Sequence, residues 1–283
     1  MRALPNGRWT ALVDETRKIP AFIRRDFLVQ WSYRFAFFSD WLNLILQVVL
    51  FYFVGSLVDP DRLPALAGGV RPTYVEFVTV GIAVTSVLQV GLSRVVSVTR
   101  EEQLMGTLES LLLTPTAPTT VQLGSVMYDL LYVPLRTLVF LGLTVVFFGA
   151  DFNVNGLLPA GVVLLAFIPV VWGLGMISAA GVLTFRRGLG FVGLFTVLLT
   201  GTSSTYFPVE VFPGWLQTIA RLNPITRALQ ASRDALLGDA GWADVLPTVA
   251  WLVPTAAVAL AGGVFAFRLA TKRERRRGTL GLY

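Results

Sequence analysis

The 283-residue sequence contains neither cysteine nor histidine. Without cysteine there is no disulfide framework, thiolate nucleophile or thiolate metal site. Without histidine there is no Ser-His-Asp triad and no histidine proton relay, and with both residue types missing the usual zinc sites go as well. Most common routes to hydrolytic chemistry are thereby closed, and neither a metal nor a cofactor is expected on this chain. Lysine is nearly absent too: Lys18 and Lys272 are the only two, and neither follows a glycine, so the phosphate-binding pattern GxxxxGK[ST] is not met. If the protein uses ATP, another chain must supply the nucleotide site. Charge of either sign is sparse, 14% of residues against roughly a quarter in an ordinary soluble domain.

What is abundant is apolar surface. Hydrophobic residues make up 54% of the chain, more than a soluble core could absorb. Crossing a hydrocarbon layer of about 30 Å takes about 20 mostly apolar residues in a helix. Stretches of that kind are read at residues 33–58, 74–98, 121–149, 157–184, 189–207 and 246–270, which predicts an all-α integral membrane protein with six transmembrane helices. The net charge of +6 resembles a nucleic-acid signal, but the charges flank apolar segments, so it is read as topology and no nucleic-acid partner is expected. Seventeen lysines and arginines fall in the N-terminal segment, residues 94–120, residues 185–188 and the C-terminal tail, against Arg62, Arg71, Arg221, Arg227 and Arg233 on the other side. The positive-inside rule then places both termini in the cytoplasm. Arg2, Arg8, Arg17, Lys18, Arg24 and Arg25 precede any long apolar run, so no cleavable leader is expected.

The expected organisation is a cytoplasmic N-terminus over 1–32, a six-helix membrane domain over 33–270 and a basic cytoplasmic tail over 271–283. Within the first part, residues 14–30 put Ile19, Phe22, Ile23 and Phe27 on one helical face, with Arg17, Lys18, Arg24 and Arg25 around the rest. Such a helix lies in the headgroup plane. Residues 99–118, TREEQLMGTLESLLLTPTAP, form a cytoplasmic connection whose Leu104, Leu108, Leu111 and Leu112 mark a short amphipathic helix. Pro115 ends it. Between the fifth and sixth spans, Pro208, Pro213 and Pro224 punctuate two helical stretches too short to cross. On the external side they are expected to dip into the membrane or cap the bundle, where irregular backbone survives only when packed on protein or lining a cavity.

Polar residues inside spans are costly and so are candidates for function. Asp40, Asn43 and Gln47 share a face of the first span at spacing i, i+3, i+7. They read either as a cavity-lining stripe or as interhelical hydrogen-bonding groups. Asp129, Tyr132 and Arg136 lie within about 60° on the wheel of the third span, as a structural ion pair or part of a translocation path. Gln89 in the second span and the run Gly201–Thr205, with Thr202 and Ser203, add hydrogen-bonding capacity. Glu101, Glu102 and Glu109 lack the defined surroundings of a catalytic pair and are read as solvated charges or partner contacts.

Two stretches carry a resemblance. EEQLMGTLESLLLTP is similar to the pattern of an acidic start, GTLE and a leucine run closing in Thr-Pro found in the membrane subunits of type-2 ABC exporters. FPVEVFPGWLQTIARLNPITRALQASRDALLGD resembles the segment of that family in which a proline-rich turn, a short helix, Asn-Pro and an arginine-bearing helix precede the last span. The resemblance implies a coupling helix over 100–114, with Glu101, Glu102, Gly106, Thr107, Leu108 and Glu109 contacting an ATPase subunit. It also implies a connecting helix over 14–30 and external re-entrant helices over 208–238 that include Phe212, Pro213, Trp215, Asn223 and Pro224. The implied partners are two cognate ABC ATPases and a second permease, identical or related, in a bacterial or archaeal plasma membrane. The implied activity is export, and FPVEVFPGW is closer to drug-type exporters than to polysaccharide exporters.

Three classes stay in view: an ABC exporter permease for a drug, antibiotic or lipid-like substrate, or for a lipid-linked polysaccharide; an ion-coupled secondary transporter or channel using Asp129 and Arg136; and a membrane transferase acting on lipid. For the last, no cluster of acids or histidines marks a catalytic site.

Overall fold

In hydrocarbon every backbone N–H and C=O must find its partner within the protein, and a helix satisfies them locally. The computed structural model describes residues 20, 24, 27, 28, 31, 32, 34–57, 63–104, 118–184 and 188–277, and among these there is no strand. The helices are α1 (Arg34–Gly55), α2 (Tyr74–Leu104), α3 (Pro118–Phe148), α4 (Leu157–Thr184), α5 (Gly188–Gly201), α6 (Gly214–Leu222), α7 (Pro224–Leu236) and α8 (Trp242–Arg277), with single 3-10 turns at Ala67–Gly69, Val154–Gly156 and Val209–Val211. Segments Tyr74–Ser93, Val154–Thr184 and Trp242–Arg273 are long and apolar enough to cross a membrane, and Trp41–Gly55, Tyr132–Phe148 and Gly190–Gly201 are shorter apolar helices. All six overlap the stretches read from the sequence, and the chain is an all-helical membrane protein.

Three boundaries differ from expectation. Helix α2 runs unbroken to Leu104, so Glu101 and Glu102 extend the second apolar helix instead of opening a separate one; residues 105–117 lie outside the described residues, and with them Gly106, Thr107, Leu108 and Glu109 of the expected coupling helix. Helix α5 stops at Gly201, short of residue 207, because the chain turns at Ser204, whose φ of 60° leaves the helical region. Helix α8 starts at Trp242 and continues to Arg277, beyond both ends of the expected sixth span. Of the expected interfacial helix over 14–30, residues 20, 24, 27 and 28 are described, helical and exposed; the rest lies outside the described residues.

Helix α4 is the centre of the core, with α2, α7 and α8 packed on it. Phe77, Val80, Val84, Leu88 and Leu92 of α2 share one buried apolar cluster with Val163, Phe167 and Val170 of α4, Ile225 and Leu229 of α7, and Leu252 of α8. Close approach between helices is achieved with small residues, as membrane interfaces favour. A Cβ on Gly173 of α4 would collide with the Ala259 backbone of α8, and one on Gly263 of α8 would lie 2.5 Å from the Gly173 carbonyl oxygen and 3.0 Å from Met176 Cβ. The outward faces are apolar in turn: Leu42, Leu46 and Phe53 on α1, Val146 and Phe147 on α3, Leu194 and Val197 on α5, and Val258 and Phe265 on α8 are all exposed. Lipid or another chain must cover a surface of that kind.

Gly173→Ala is expected to cost about 1–3 kcal/mol, the usual penalty for overfilling a tight contact, and to lower Tm in detergent. Gly262→Ala, where no atom lies within 4 Å of the added carbon, should leave it unchanged. Equal Tm values would show that the α4–α8 crossing is not the tight contact described.

Candidate functional site

The turns at one end of the bundle build a polar cap, and its centre is Arg233 on α7. Ile225, Leu229, Arg233 and Leu236 occupy one face of that helix, at spacings of four, four and three, so the arginine stands in the middle of an apolar stripe. It is 1% exposed. Its Nε donates to the Phe77 carbonyl (3.1 Å), Nη1 to that of Ser204 (2.9 Å) and Nη2 to that of Thr205 (2.9 Å). The guanidinium carbon lies 3.4 Å from the centre of the Phe77 ring, a cation–π contact. Burial pushes the pKa of Arg233 down to about 9, with the neighbouring Asp234 pulling it back up; the group still carries its charge at neutral pH.

Each carbonyl reaches Arg233 for a local reason. The left-handed turn at Ser204 aims two successive carbonyls inward and is fixed by Ser204 Oγ donating to Phe207 O (2.9 Å). Thr205 Oγ1 is paired with Thr85 Oγ1 of α2 (2.8 Å) and with Ser203 Oγ, and Ser203 Oγ also meets the Thr200 carbonyl. Gly81 lets α2 close on this turn, since a Cβ there would strike the Thr205 carbonyl and lie 3.0 Å from Arg233 Nη2.

Asn223 joins the same cap from the other side. Its Oδ1 accepts from Ile225 N and so caps α7, with Pro224 at the first helical position, where a missing N–H costs nothing. Its Nδ2 donates to Leu199 O (3.0 Å) and Thr202 Oγ1 (2.9 Å). Thr226 Oγ1 donates to Thr202 O. Further round, Glu76 accepts from Thr73 N through Oε2 and from Asp151 N through Oε1, while Thr73 Oγ1 accepts from Glu76 N. This is a capping box that also ties down the α3–α4 turn. Asp234 Oδ1 accepts from Ala67 N, and Asn153 donates to the Leu236 and Gly238 carbonyls.

The sequence candidates separate by depth. Thr202, Ser203, Phe212, Pro213, Trp215, Asn223 and Pro224 belong to the cap or to α6 beside it: Phe212 O accepts from Gln217 Nε2, Pro213 precedes α6, and Trp215 is 69% exposed. Gly55, at the cap end of α1, packs against Tyr74. At 1.5 Å per residue, Asn43, Gln89, Tyr132 and Arg136 then lie about 18–24 Å below the cap ends of their helices. Asn43 and Gln47 are both exposed, joined by Gln47 Nε2 donating to Asn43 Oδ1 (3.1 Å). Gln89 is exposed on α2, Tyr132 accepts from Trp41 Nε1 (3.2 Å), and Arg136 is half-buried. Asp40 and Asp129 lie on α1 and α3, their side chains outside the described ones. Among the described residues no group of three acidic residues could hold a metal ion. Arg233 was legible from the start as the single charge on an apolar helical stripe, a signal that counting it as one of five external cations conceals.

Residues 17–237 match the family of ABC-2 type transporters, a stretch that takes in α1 to α7 and the whole Arg233 cap. The chain belongs to that family. Among curated relatives, it is 31% identical over 119 residues to the linearmycin resistance permease protein LnrN of Bacillus subtilis (strain 168), a match covering 41% of this chain and 31% of the relative. It is 36% identical over 129 residues to the daunorubicin resistance ABC transporter permease protein DrrB1 of Streptomyces coeruleorubidus, covering 43% of this chain and 44% of the relative. The chain thus spans less than half the length of the curated relatives it matches.

In this ABC-2 type chain, Arg233→Lys is expected to cost about 1–3 kcal/mol, the penalty for leaving a buried carbonyl unpaired, because an ammonium cannot reproduce the three-way fork of a guanidinium. Thermal unfolding in detergent should show a lower Tm for Arg233→Lys and none for Arg221→Lys, an exposed position on α6. A wild-type Tm for Arg233→Lys would remove the cage from the account of stability.

Proposed function

We propose that this chain is the transmembrane permease subunit of an ATP-driven exporter, moving a hydrophobic or amphipathic substrate such as a drug, antibiotic or lipid-like molecule out of the cell by alternating access. The observation that carries the reading is the ABC-2 family match across residues 17–237. The names of the two relatives, resistance permeases for linearmycin and daunorubicin, support a drug-like substrate over a polysaccharide.

In this reading the six apolar helices all cross a bacterial or archaeal plasma membrane with both termini inside, and the Arg233 cap faces outward. Two ATPase subunits hold and hydrolyse ATP, and a second permease, a copy or a relative, completes the pathway. Residues 100–114 dock on an ATPase, with Glu101, Glu102 and Glu109 offering charge to it. Asn43 and Gln47 turn away from the core of their own chain, where a polar pair facing lipid is costly; a cavity shared with the second permease removes that cost. ATP binding draws the ATPases together and moves the spans as bodies. Substrate accelerates the cycle only as far as it binds the inward and outward states unequally.

Gly106→Pro and Glu109→Arg should each lower ATPase association and substrate-stimulated ATPase activity while leaving membrane insertion intact; co-purification with the cognate ATPase reads this out. Undiminished association in both variants would count against the docking role. Asn43→Leu and Gln47→Leu should change substrate preference in vesicle transport more than they change assembly, and unchanged transport by both would reduce the pair to packing.

A further inference from the structure

Beside the Arg233 cage, on the other flank of α7, lies a cleft of about 500 Å³, within the usual size range of ligand pockets. Its wall has a basic part, Arg221 and Arg227, and an acidic part, Asp234 and Asp244, with hydroxyl and amide groups from Thr226, Gln230 and Thr248. Neither charge pair is spent on the other as the helices pack. Arg227 Nε donates to the Arg221 carbonyl (3.3 Å) and its guanidinium lies 4.4 Å from the centre of the Trp251 ring, so neither contact uses its Nη donors. Asp234 uses Oδ1 on Ala67 N and Asp244 uses Oδ2 on Gly241 N, so each has one oxygen uncommitted to the backbone. Burial pushes the Asp234 carboxyl up, the Ala67 N–H and Arg233 pull it down, and Asp244 across the cleft raises it again. A cation held between the two acids would relieve that last repulsion.

The cleft is also level with the start of the Trp242–Arg273 segment, which is long and apolar enough to cross a membrane, so headgroups would meet it there. It opens at the junction of the polar cap with the start of α8, where Trp242 is exposed, as aromatic residues are at a membrane–water boundary. One face round α8 from the lining residues Val245 and Thr248, Leu246 and Val253 are exposed and give an apolar lane running into the span.

From these observations we infer that the cleft binds a zwitterionic phospholipid headgroup carrying a phosphodiester and a primary ammonium, with Arg221 and Arg227 on the phosphate and Asp234 and Asp244 on the ammonium. Arginine suits phosphate because its planar fork matches the oxygens. The ammonium is primary because carboxylates accept its N–H bonds, whereas a quaternary ammonium is recognised by aromatic faces, and no aromatic side chain lines the cleft among the described residues. The assignment stands whichever leaflet the cap faces and does not depend on the transport reading.

The test uses the full chain reconstituted in nanodiscs of mixed phosphatidylethanolamine, phosphatidylcholine and phosphatidylglycerol, released in the gas phase, with retained lipids counted by native mass spectrometry. Phosphatidylethanolamine should be retained over each of the other two by about tenfold, the factor one charge-assisted hydrogen bond brings. Asp244→Asn should reduce that preference toward unity, whereas Arg221→Gln, at the phosphate that all three lipids carry, should lower the total lipid retained; both positions are exposed. Equal retention of phosphatidylcholine, or preferential retention of phosphatidylglycerol, would overturn the inference in the unaltered protein whatever the variants do. A preference untouched by Asp244→Asn, or total retention untouched by Arg221→Gln, would place lipid binding elsewhere and overturn it too. Soluble glycerophosphoethanolamine should fail to displace the lipid; displacement at equal concentration would make the ligand a free headgroup and not a lipid.

Discussion

A single buried cation determines how one end of this protein is built. Taking a guanidinium out of water costs several kcal/mol even after relaxation, and Arg233 recovers that cost from three main-chain carbonyls and one aromatic face. The carbonyls come from α2 and from the turn after α5, so the charge is fully hydrogen-bonded only when both stand in their places beside α7. Neutral dipoles in place of a carboxylate have a further effect: the cage keeps a positive charge next to Asp234, where it pulls that carboxyl down against the larger upward push of burial.

The rest of the cap follows from the same requirement. Where α5 ends early, the Thr202 to Thr205 backbone would face low dielectric with unpaired groups, and a group left so costs several kcal/mol. Side chains take up the difference: Asn223 reaches Leu199 O and Thr202 Oγ1, Thr226 reaches Thr202 O, and Thr85 pairs with Thr205. Glu76 and Asn153 do the same for the α3–α4 turn. Short helix α7 is therefore a packed element, held by specific polar contacts and by a small-residue approach at Gly156, which admits the Ala235 carbonyl where a Cβ would not fit.

Apolar length made the six helices legible, because a run such as Leu157–Thr184 allows no other reading. Boundaries were less legible where tertiary contacts decide them. Nothing in the composition of Thr202–Ser203–Ser204–Thr205 says that the helix must stop at Gly201; the stop depends on an arginine nearly thirty residues later. The run was read as added hydrogen-bonding capacity, and its actual use, as acceptor for Arg233, needed the fold to bring the two together. Asn43 and Gln47 were legible as one face, since i and i+4 side chains meet on any helix, and the structure joins them by a hydrogen bond.

Helix α2 ties the two ends into one mechanical element. It contains no proline, in contrast to α3, α4 and α8, which carry Pro134, Pro169, and Pro247 with Pro254. Its 31 residues span about 46 Å at 1.5 Å per residue. At one end Glu76, Phe77, Gly81 and Thr85 are locked into the cap; at the other, Glu101 and Glu102 begin the segment proposed to dock on the ATPase. A bend could absorb motion at a proline in any of the other three long helices, but α2 offers none. In the proposed cycle, displacement at residues 100–114 would therefore reach the cap with little loss, and the Arg233 cage would carry α5 and α7 along with it. In that proposed cycle the cation that stabilises the cap would also make it move as one body.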